Sequence, residues 1–543
     1  MDRLRETAAA GDDAVTVTAA ADARRPASAP RLPTWLRAIG LRGAILWLGL
    51  VLAALLAVPG RTVTTKYVND LFIFLDGAHR IWSGQVPNID FHTSLGPLAF
   101  YIPAAGYGLS GAMSAAMPVG MALVVLVLAL IASEVIASRM RVLIGLPLAV
   151  FLLLIAAVPA NPGEWIGELT FAMFYNRIGW ACLGLLLVMY LPRQPHQPRR
   201  DVLDALCAAC LSLLMLYTKI TYGLMAVAFI SFMLLDRRQR VWAAIALGTI
   251  VVSVAVIGLV WQGSLNHIAD LRLASSVSGE LPGLRVMVDI VLKNLADIAV
   301  YAIFAMALLL FRWRLRDLLF VGFCAASGLL IIEQNFQVVG ILTLGASAAV
   351  VAELLLRAEL PPRRRTWAKG LPLLLPMLLV PATASHAVSL AMHAVYAVSG
   401  KGEQLALPGF EGIRLVPMWS QGQYDFFRRY NTSIADGSAA LANLGGPVER
   451  VAVLDFVNPF SAGMALLPPV GDSPWYHWGR TLDREHYPPP EEIFADVAVI
   501  LDPKSPIEVW TANGMREIYA DYMASRYRLV AETSDWRIYR RTP

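Results

Sequence analysis

The polar stretch that follows the first long apolar run is rich in carboxylates and also contains histidine. This stretch contains Asp70, Asp76, Asp90 and His92. A carboxylate next to apolar segments is costly unless it is solvated, paired or kept for chemistry. Asp76 has a simple structural interpretation, because Arg80 follows four residues later and would form an ion pair on one helix face. The group is a candidate for acid–base chemistry or for substrate binding.

Two cations lie where apolar runs begin or end. Arg177 follows Phe174-Tyr175-Asn176, and Lys219 separates two apolar runs. A lysine flanked by apolar segments is costly unless it reaches the membrane surface or meets an anion. Either cation could therefore contact a lipid phosphate. Arg177 has a structural alternative, which is pairing with Glu164 or Glu168.

Amide and aromatic side chains form two further candidate groups. Asn335 and Gln337 join two apolar runs, and amides are good ligands for sugar hydroxyls. The alternative is that they cap helices in a tight hairpin. Residues 475–478 read Trp-Tyr-His-Trp and could form an aromatic platform for a sugar or a contact with a lipid surface. Simple packing would also explain this aromatic run.

The composition is that of an integral membrane protein. Of 543 residues, 57% are hydrophobic and 16% are charged, with a mean hydropathy of +0.57. A soluble protein of this composition would be unusual. The formal charge of +5 comes from Lys and Arg residues in short loops between apolar runs. That distribution is a topology signal, so a nucleic-acid partner is not expected and the lipid bilayer is.

The apolar runs predict a polytopic α-helical protein of about eleven transmembrane helices. Most Lys and Arg residues before residue 392 fall in loops that the count assigns to the cytoplasm. If the segment 96–113 crossed the membrane, the later basic loops would lie outside. We therefore expect an interfacial or re-entrant helix there. The predicted spans are 43–59, 116–138, 142–158, 177–191, 202–217, 221–235, 241–260, 296–311, 318–333, 337–355 and 370–391.

Three regions follow from these spans. Residues 1–33 predict a disordered cytoplasmic tail, and residues 34–391 a membrane module whose first outer loop is 60–95. Residues 392–543 predict an external α/β domain with strands near 450–456 and 496–501, a helix over 514–526 and a terminal hairpin. The absence of a cleavable signal and the basic loops fit a bacterial inner membrane with a periplasmic C-terminal domain, although an endoplasmic reticulum membrane has the same geometry.

Metal, disulfide and nucleotide motifs are weak in this sequence. All four cysteines lie in apolar runs, and Cys207 and Cys210 form a CxxC without a second ligand pair. We therefore predict no metal site from the protein alone, and a divalent ion is neither required nor excluded. No Gly-rich phosphate loop, HExxH or nucleophile elbow occurs, which disfavours nucleotide-sugar chemistry.

The first outer loop resembles the GT-C glycosyltransferase superfamily, including protein O-mannosyltransferases and lipid A aminoarabinose transferases. The resemblance rests on Asp70 shortly after the first helix, on G-x-x-P-x-x-D-F-H at residues 84–92, and on Gly-Pro-Leu at residues 96–98. It implies a GT-C fold and transfer of a sugar from a polyprenyl phosphate carrier to an acceptor on the outer face. It also implies that Asp70 is catalytic. The loop has Asn69-Asp70 where an Asp-Glu pair is usual, so the resemblance identifies neither the sugar nor the acceptor.

The sequence as a whole predicts a lipid-linked-sugar glycosyltransferase. Asp70 would be the general base, and the acceptor would be a lipid, a glycan or a protein. A transporter or lipid flippase is the alternative, but it would favour charges near the midplane and internal repeats, and no repeat is visible. An assembly scaffold would not need Asp70. The predicted substrate-binding residues are Asp76, Asp90, His92, Arg177, Lys219, Asn335 and Gln337.

Overall fold

The computed structural model describes residues 34–194, 200–278, 283–335, 337–446 and 448–542. The chain divides into two compact units, Met1–Gly40 and Leu41–Pro543. The helices are α1 (Thr34–Ala57), α2 (Val68–Trp82), α3 (Leu98–Ser110), α4 (Met113–Val135), α5 (Val142–Ala157), α6 (Phe174–Val188), α7 (Asp201–Thr218), α8 (Ile220–Met233), α9 (Arg240–Trp261), α10 (Ser264–Ser278), α11 (Leu284–Lys293), α12 (Leu295–Phe311), α13 (Leu315–Gln334), α14 (Leu342–Arg357), α15 (Pro362–Gly370), α16 (Leu375–Ser399), α17 (Gln421–Ala442), α18 (Phe460–Gly463), α19 (Pro490–Ile493), α20 (Val509–Ile518) and α21 (Ala520–Arg526). The strands are β1 (Val63–Thr64), β2 (Glu403–Gln404), β3 (Arg414–Leu415), β4 (Val451–Val453), β5 (Val499–Pro503), β6 (Tyr527–Glu532) and β7 (Trp536–Arg541).

Each predicted span overlaps a helix of the described chain. Six helices in the described ranges are long and apolar enough to cross a membrane, and a seventh span results if α11 and α12, bent by 75°, count as one. The apolar helices α5, α6 and α8 are shorter. Several apolar helices of this kind are typical of a membrane protein, whereas the total of eleven spans stays a prediction. The tail over 1–33 lies outside the described residues.

Helix α3 occupies the segment that we expected to be interfacial or re-entrant, and it is not among the candidate spans. It forms a tight hairpin with α4. A Cβ atom at Gly106 would lie 2.0 Å from the Ala116 carbonyl oxygen, and one at Gly120 would lie 2.5 Å from that of Ile102. These glycines let the two backbones touch. The position of α3 relative to a bilayer stays a prediction.

Two central helices lead to the functional site. Almost all of α6 and α14 is buried, whereas α9 is largely exposed on the outside of the bundle. Small residues permit this packing: a Cβ at Gly179 would lie 2.5 Å from the Tyr222 ring. Helix α6 begins directly after the loop 158–173, and α14 begins five residues after Gln337. The polar side chains at these two starts therefore lie at one end of the bundle.

Two small sheets cover that end. Strand β1, in the first outer loop, pairs in parallel with β3, and β3 pairs antiparallel with β2. The second sheet has the order β4-β5-β7-β6, and we call residues 448–542 the C-terminal sheet domain. Its parallel β4 and β5 and its terminal β6–β7 hairpin confirm the strands predicted from the sequence. The predicted helix over 514–526 is divided into α20 and α21. The predicted boundary at residue 392 falls within α16.

Candidate functional site

A cavity of about 510 Å³, here called the Asp70 cavity, lies where the helix bundle meets the C-terminal sheet domain. Its walls come from the start of α2, the loop before α6, the link between α13 and α14, and the segment after β4. The lining residues are Tyr67, Asn69, Asp70, Ile73, Phe74, Leu95, Asn161, Pro162, Gly163, Glu164, Met173, Tyr175, Asn176, Asn335, Gln337, Val338, Phe456, Trp475, His477, Arg480 and Glu508.

Asp70 lies in the first turn of α2, with its side chain in the cavity. The helix begins after Tyr67, whose φ of 53° turns the chain sharply from β1 into α2. Asn69 Nδ2 donates to Asp70 Oδ1 over 3.1 Å. Burial raises the pKa of Asp70 to about 7; Arg480 opposes this shift and Glu164 adds to it. A carboxylate with a pKa near neutrality suits general base catalysis.

Two cations approach the same cavity from different parts of the fold. Lys219 has extended backbone between α7 and α8, its Nζ donates to Asn335 Oδ1, and it lies 5.5 Å from the Tyr175 ring centre. Arg480 lines the cavity from the C-terminal sheet domain. Burial, together with the charge of Arg480, lowers the pKa of Lys219 to about 8. Two cations close enough to repel each other across a cavity form a site that favours an anion.

The two predicted amides differ in how much of their hydrogen-bonding capacity is used by the protein. Asn335 accepts from Lys219 and donates to Tyr222 Oη over 2.9 Å, so it joins the lysine to the bundle. Gln337 accepts from Trp180 Nε1 at 3.0 Å, and its Nε2 donates to two carbonyl groups of the α13–α14 link. Gln337 thus ties the α13–α14 link to α6.

Asp76 lies further along α2, in a buried ion-pair network. Arg80 Nε lies 2.6 Å from Asp76 Oδ2, the helical pair predicted from the spacing, and Arg80 Nη2 lies 3.0 Å from Asp472 Oδ2. Arg80 Nη1 also donates to the Pro469 carbonyl at 2.8 Å. The network fastens α2 to the C-terminal sheet domain, and its residues do not line the Asp70 cavity.

Asp90 and His92 also lie outside the Asp70 cavity. Asp90 Oδ2 accepts from the Val86 backbone N–H at 2.7 Å and closes a turn. His92 bridges two carboxylates, with Nδ1 2.9 Å from Asp270 and Nε2 2.8 Å from Glu492. The hydrogen bond with Asp270, the charge of Asp270 and the contact with Glu492 raise the pKa of His92 to about 9, although burial opposes them. His92 therefore links the first outer loop to α10 and α19.

Arg177 is fully buried among carbonyl groups of the loop before α6. It donates to the carbonyls of Val158, Ala160 and Thr170, the last two at 3.3 and 3.4 Å. The two glutamates expected as alternative partners are paired with Lys66 instead, at 2.8 and 3.0 Å. Arg177 holds the loop that carries Asn161 and Glu164, but it is not among the residues that line the cavity.

Sequence reasoning missed Arg480, which follows closely after the aromatic run that it did single out. Trp475 and His477 of that run line the cavity, with ring centres 6.4 Å apart in a stacked arrangement. Burial, with the adjacent Arg480 charge, lowers the pKa of His477 to about 4, so this ring is neutral at physiological pH. Only the fold shows that these residues face Asp70.

Among the described residues, no group of three or more His, Cys, Asp or Glu side chains has the geometry to hold a metal ion. The cysteines Cys182, Cys207, Cys210 and Cys324 are all free thiols. The lining of the Asp70 cavity combines several aromatic rings and amides with the guanidinium of Arg480 and the carboxylates of Asp70, Glu164 and Glu508, and Lys219 lies behind Asn335.

Comparisons with known proteins give a distant structural similarity. No family model and no curated protein matches the sequence. Among solved structures, the chain is similar to the Archaeoglobus fulgidus oligosaccharyltransferase complex with Zn and sulfate, with 11% identity over 78% of this chain and a TM-score of 0.34. The match covers 62% of the length of that enzyme. Its TM-score is below the level that establishes a common fold.

Proposed function

We propose that this protein is a membrane glycosyltransferase that moves a sugar from a polyprenyl phosphate carrier to an acceptor, with Asp70 as general base. One observation carries the proposal. Asp70, whose pKa is raised to about 7, and Arg480 line one cavity, and Lys219 lies beside it, hydrogen-bonded to the lining residue Asn335. General base catalysis and stabilisation of a departing phosphate require these two kinds of group side by side.

The reaction balances with these residues in defined roles. The acceptor hydroxyl or amine attacks the anomeric carbon of the donor while the bond from that carbon to the phosphate oxygen breaks. The acceptor proton passes to Asp70, and the carrier departs as a phosphomonoester with one more negative charge than the donor phosphodiester. Lys219 and Arg480 would stabilise this developing charge. The amide of Asn161 lines the cavity and would bind sugar hydroxyls, whereas the amide of Asn335 is held by Lys219 and Tyr222.

A second cavity supports a lipid-linked donor. A groove of about 820 Å³ runs between α3, α7 and α9. The groove adjoins the Asp70 cavity, because Leu95 lines the Asp70 cavity and Pro97, two residues later, lines the groove. Between them, Gly96 N donates to the Thr218 carbonyl at 3.2 Å. A prenyl chain in this groove would leave its phosphate next to Lys219. The groove is lined by Val86, Ile89, Pro97, Leu98, Tyr101, Leu206, Ala209, Cys210, Leu213, Leu214, Tyr217, Thr249, Ile257, Val260, Trp261 and Gln262.

The proposal includes a location. With a cytoplasmic N-terminus, the Asp70 cavity and the C-terminal sheet domain would lie on the outer, periplasmic side of a bacterial inner membrane. Asp76, Asp90, His92 and Arg177 would then support the site from outside the cavity, and no metal ion would be needed for the proton transfer.

The test compares two Asp→Asn changes in the same loop. A strain that lacks the gene is complemented with wild type, with Asp70→Asn or with Asp90→Asn, and its lipid-linked sugars and envelope glycans are analysed by mass spectrometry. We expect Asp70→Asn to accumulate the sugar-bearing carrier like the deletion, and Asp90→Asn to restore the wild-type pattern, because Asn can still accept from Val86 N. A well-expressed Asp70→Asn protein that restores transfer would contradict the proposal and would favour the transporter alternative.

A further inference from the structure

A separate cleft, here called the Trp510 cleft, opens on the C-terminal sheet domain. Its volume is about 560 Å³. One wall is the face of α20 that carries residues 510, 513, 514 and 517, which are spaced as neighbours on one side of a helix. The other wall is the segment after the aromatic run. The lining residues are Trp478, Asp483, Arg484, Glu485, Trp510, Asn513, Gly514 and Glu517.

Two tryptophans form the floor and the rim of this cleft. Trp510 is 74% exposed, an unusual state for the largest apolar side chain. Trp478 lies against α20 so closely that a Cβ atom at Gly514 would fall 2.0 Å from its ring. Its backbone N–H donates to Thr511 Oγ1 at 3.0 Å, which fixes the segment to the helix. Glycine at position 514 therefore lets one indole face lie flat on the helix and define a rigid apolar surface.

The polar lining is acidic and partly pre-ordered. Arg484 pairs with Glu517 at 2.9 and 3.0 Å, and Arg516 Nη1 donates to Asn513 Oδ1 at 2.8 Å, which orients the Asn513 amide. Asp483 and Glu485 add two further carboxylates, so three carboxylates face one guanidinium in the lining. Such a surface disfavours phosphates and anionic lipid headgroups, whereas it accepts hydroxyl and ammonium donors.

One short segment lines both the cleft and the proposed catalytic centre. Trp475, His477 and Arg480 line the Asp70 cavity, while Trp478 and Asp483 line the Trp510 cleft. The chain between them turns at Gly479, whose φ is 75°. The cleft and the Asp70 cavity are therefore neighbours, separated by this segment.

We propose that the Trp510 cleft binds an uncharged or amino-bearing saccharide that belongs to the acceptor. Indole faces pack against the C–H faces of sugar rings, and oriented amides and carboxylates bind their hydroxyls. The acidic lining selects against phosphorylated or carboxylated glycans. The assignment of this saccharide to the acceptor rests on the glycosyltransferase function proposed above, whereas saccharide binding itself does not.

The test measures binding of defined soluble oligosaccharides to the full-length protein in nanodiscs, by saturation-transfer NMR. The probes are cellotetraose, the N-acetylglucosamine tetramer, the glucosamine tetramer and the galacturonic acid tetramer. We expect the neutral or amino-bearing probes to bind and the galacturonic acid probe to bind least. The change Trp510→Ala should weaken binding by about tenfold. Trp367→Ala is the matched control, since Trp367 is 75% exposed and lies in α15, away from the cleft.

Three results would overturn the proposal: no signal from any probe, equal binding by wild type and Trp510→Ala, or preferential binding of the galacturonic acid tetramer. Because Trp510 is exposed, loss of folding should not obscure the comparison, and Glu485→Gln provides a second exposed change in the cleft. The binding assay needs neither donor nor turnover. If Asp70→Asn abolishes transfer but no saccharide binds, the cleft assignment fails alone; if saccharides bind but no sugar is ever transferred, the proposed function fails alone.

Discussion

Arg80 on α2 lies 3.0 Å from Asp472 of the C-terminal sheet domain, and both side chains are buried. The same guanidinium pairs with Asp76, so one cation satisfies two carboxylates. The helix that carries Asp70 is thus fastened to the domain that carries Arg480. The position of Asp70 relative to Arg480 in the cavity therefore depends on this ion-pair network.

The first prediction follows from that network. Asp472→Ala should lower the free energy of unfolding by about 3–5 kcal/mol, because it leaves part of a buried charge uncompensated. It also removes the acceptor of the Tyr476 hydroxyl, 2.6 Å away. The midpoint of thermal unfolding in detergent measures the effect. The exposed Asp521→Ala serves as control, and equal midpoints for both variants would show that the network contributes little.

A second prediction concerns the pH dependence of transfer. The base form of Asp70 becomes available as the pH rises through about 7, whereas Lys219 loses its charge as the pH rises through about 8. The value of kcat/KM should therefore follow a narrow bell between these limits. In Lys219→Arg the cation stays protonated, so the alkaline decline should disappear. An alkaline limb that is unchanged in this variant would remove Lys219 from the mechanism.

Asp70 should also decrease the stability of the protein at neutral and alkaline pH. Its pKa is raised in the folded state, so the folded protein holds this proton more tightly than the unfolded chain does. The loss in the free energy of unfolding caused by ionised Asp70 is absent below about pH 4, grows as the pH rises towards 7 and is complete above pH 7. Asp70→Asn should therefore unfold at a higher temperature than wild type at pH 8 and at a similar temperature at pH 4. A variant that is less stable than wild type at pH 8 would indicate that the ionised carboxylate is well compensated.

The role of Arg480 can be separated from general effects of charge. Arg480→Gln should raise KM for the lipid-linked donor by about tenfold or more, since a charge-assisted hydrogen bond to phosphate contributes about 1.5–3 kcal/mol. Arg528→Gln, an exposed change on β6, is the control. Donor titration in nanodiscs provides the measurement. If both variants keep the wild-type KM, Arg480 does not bind the phosphate.

The topology can be tested with introduced cysteines, because three of the native thiols are buried and Cys210 is only partly exposed. In intact spheroplasts, Arg528→Cys should react with an impermeant maleimide. Arg237→Cys, in an exposed predicted cytoplasmic loop, should react only after permeabilisation. The reverse pattern would invert the predicted orientation and place the Asp70 cavity on the cytoplasmic side.

The amino-acid sequence alone predicts several long apolar helices and the approximate positions of the helices and strands. Apolar runs of about 20 residues identify helices because a bilayer or a dense core leaves few other solutions. The Asp76–Arg80 pair followed from helical spacing, and the terminal hairpin from alternating apolar residues and a polar turn. These signals are local, so they can be read along the chain.

Which polar groups meet in the cavity depends on the three-dimensional fold. Asp70, Lys219, Asn335 and Arg480 come from four distant segments, and no spacing rule relates them. Arg177 and Lys219 looked alike in the sequence, since each is a cation at the edge of an apolar run. The fold surrounds Arg177 with carbonyl groups and directs Lys219 to Asn335 beside the cavity. The difference arises because the packing of whole helices sets how deeply a charge is buried and which partners surround it. A single segment of the sequence encodes neither the burial nor the partners.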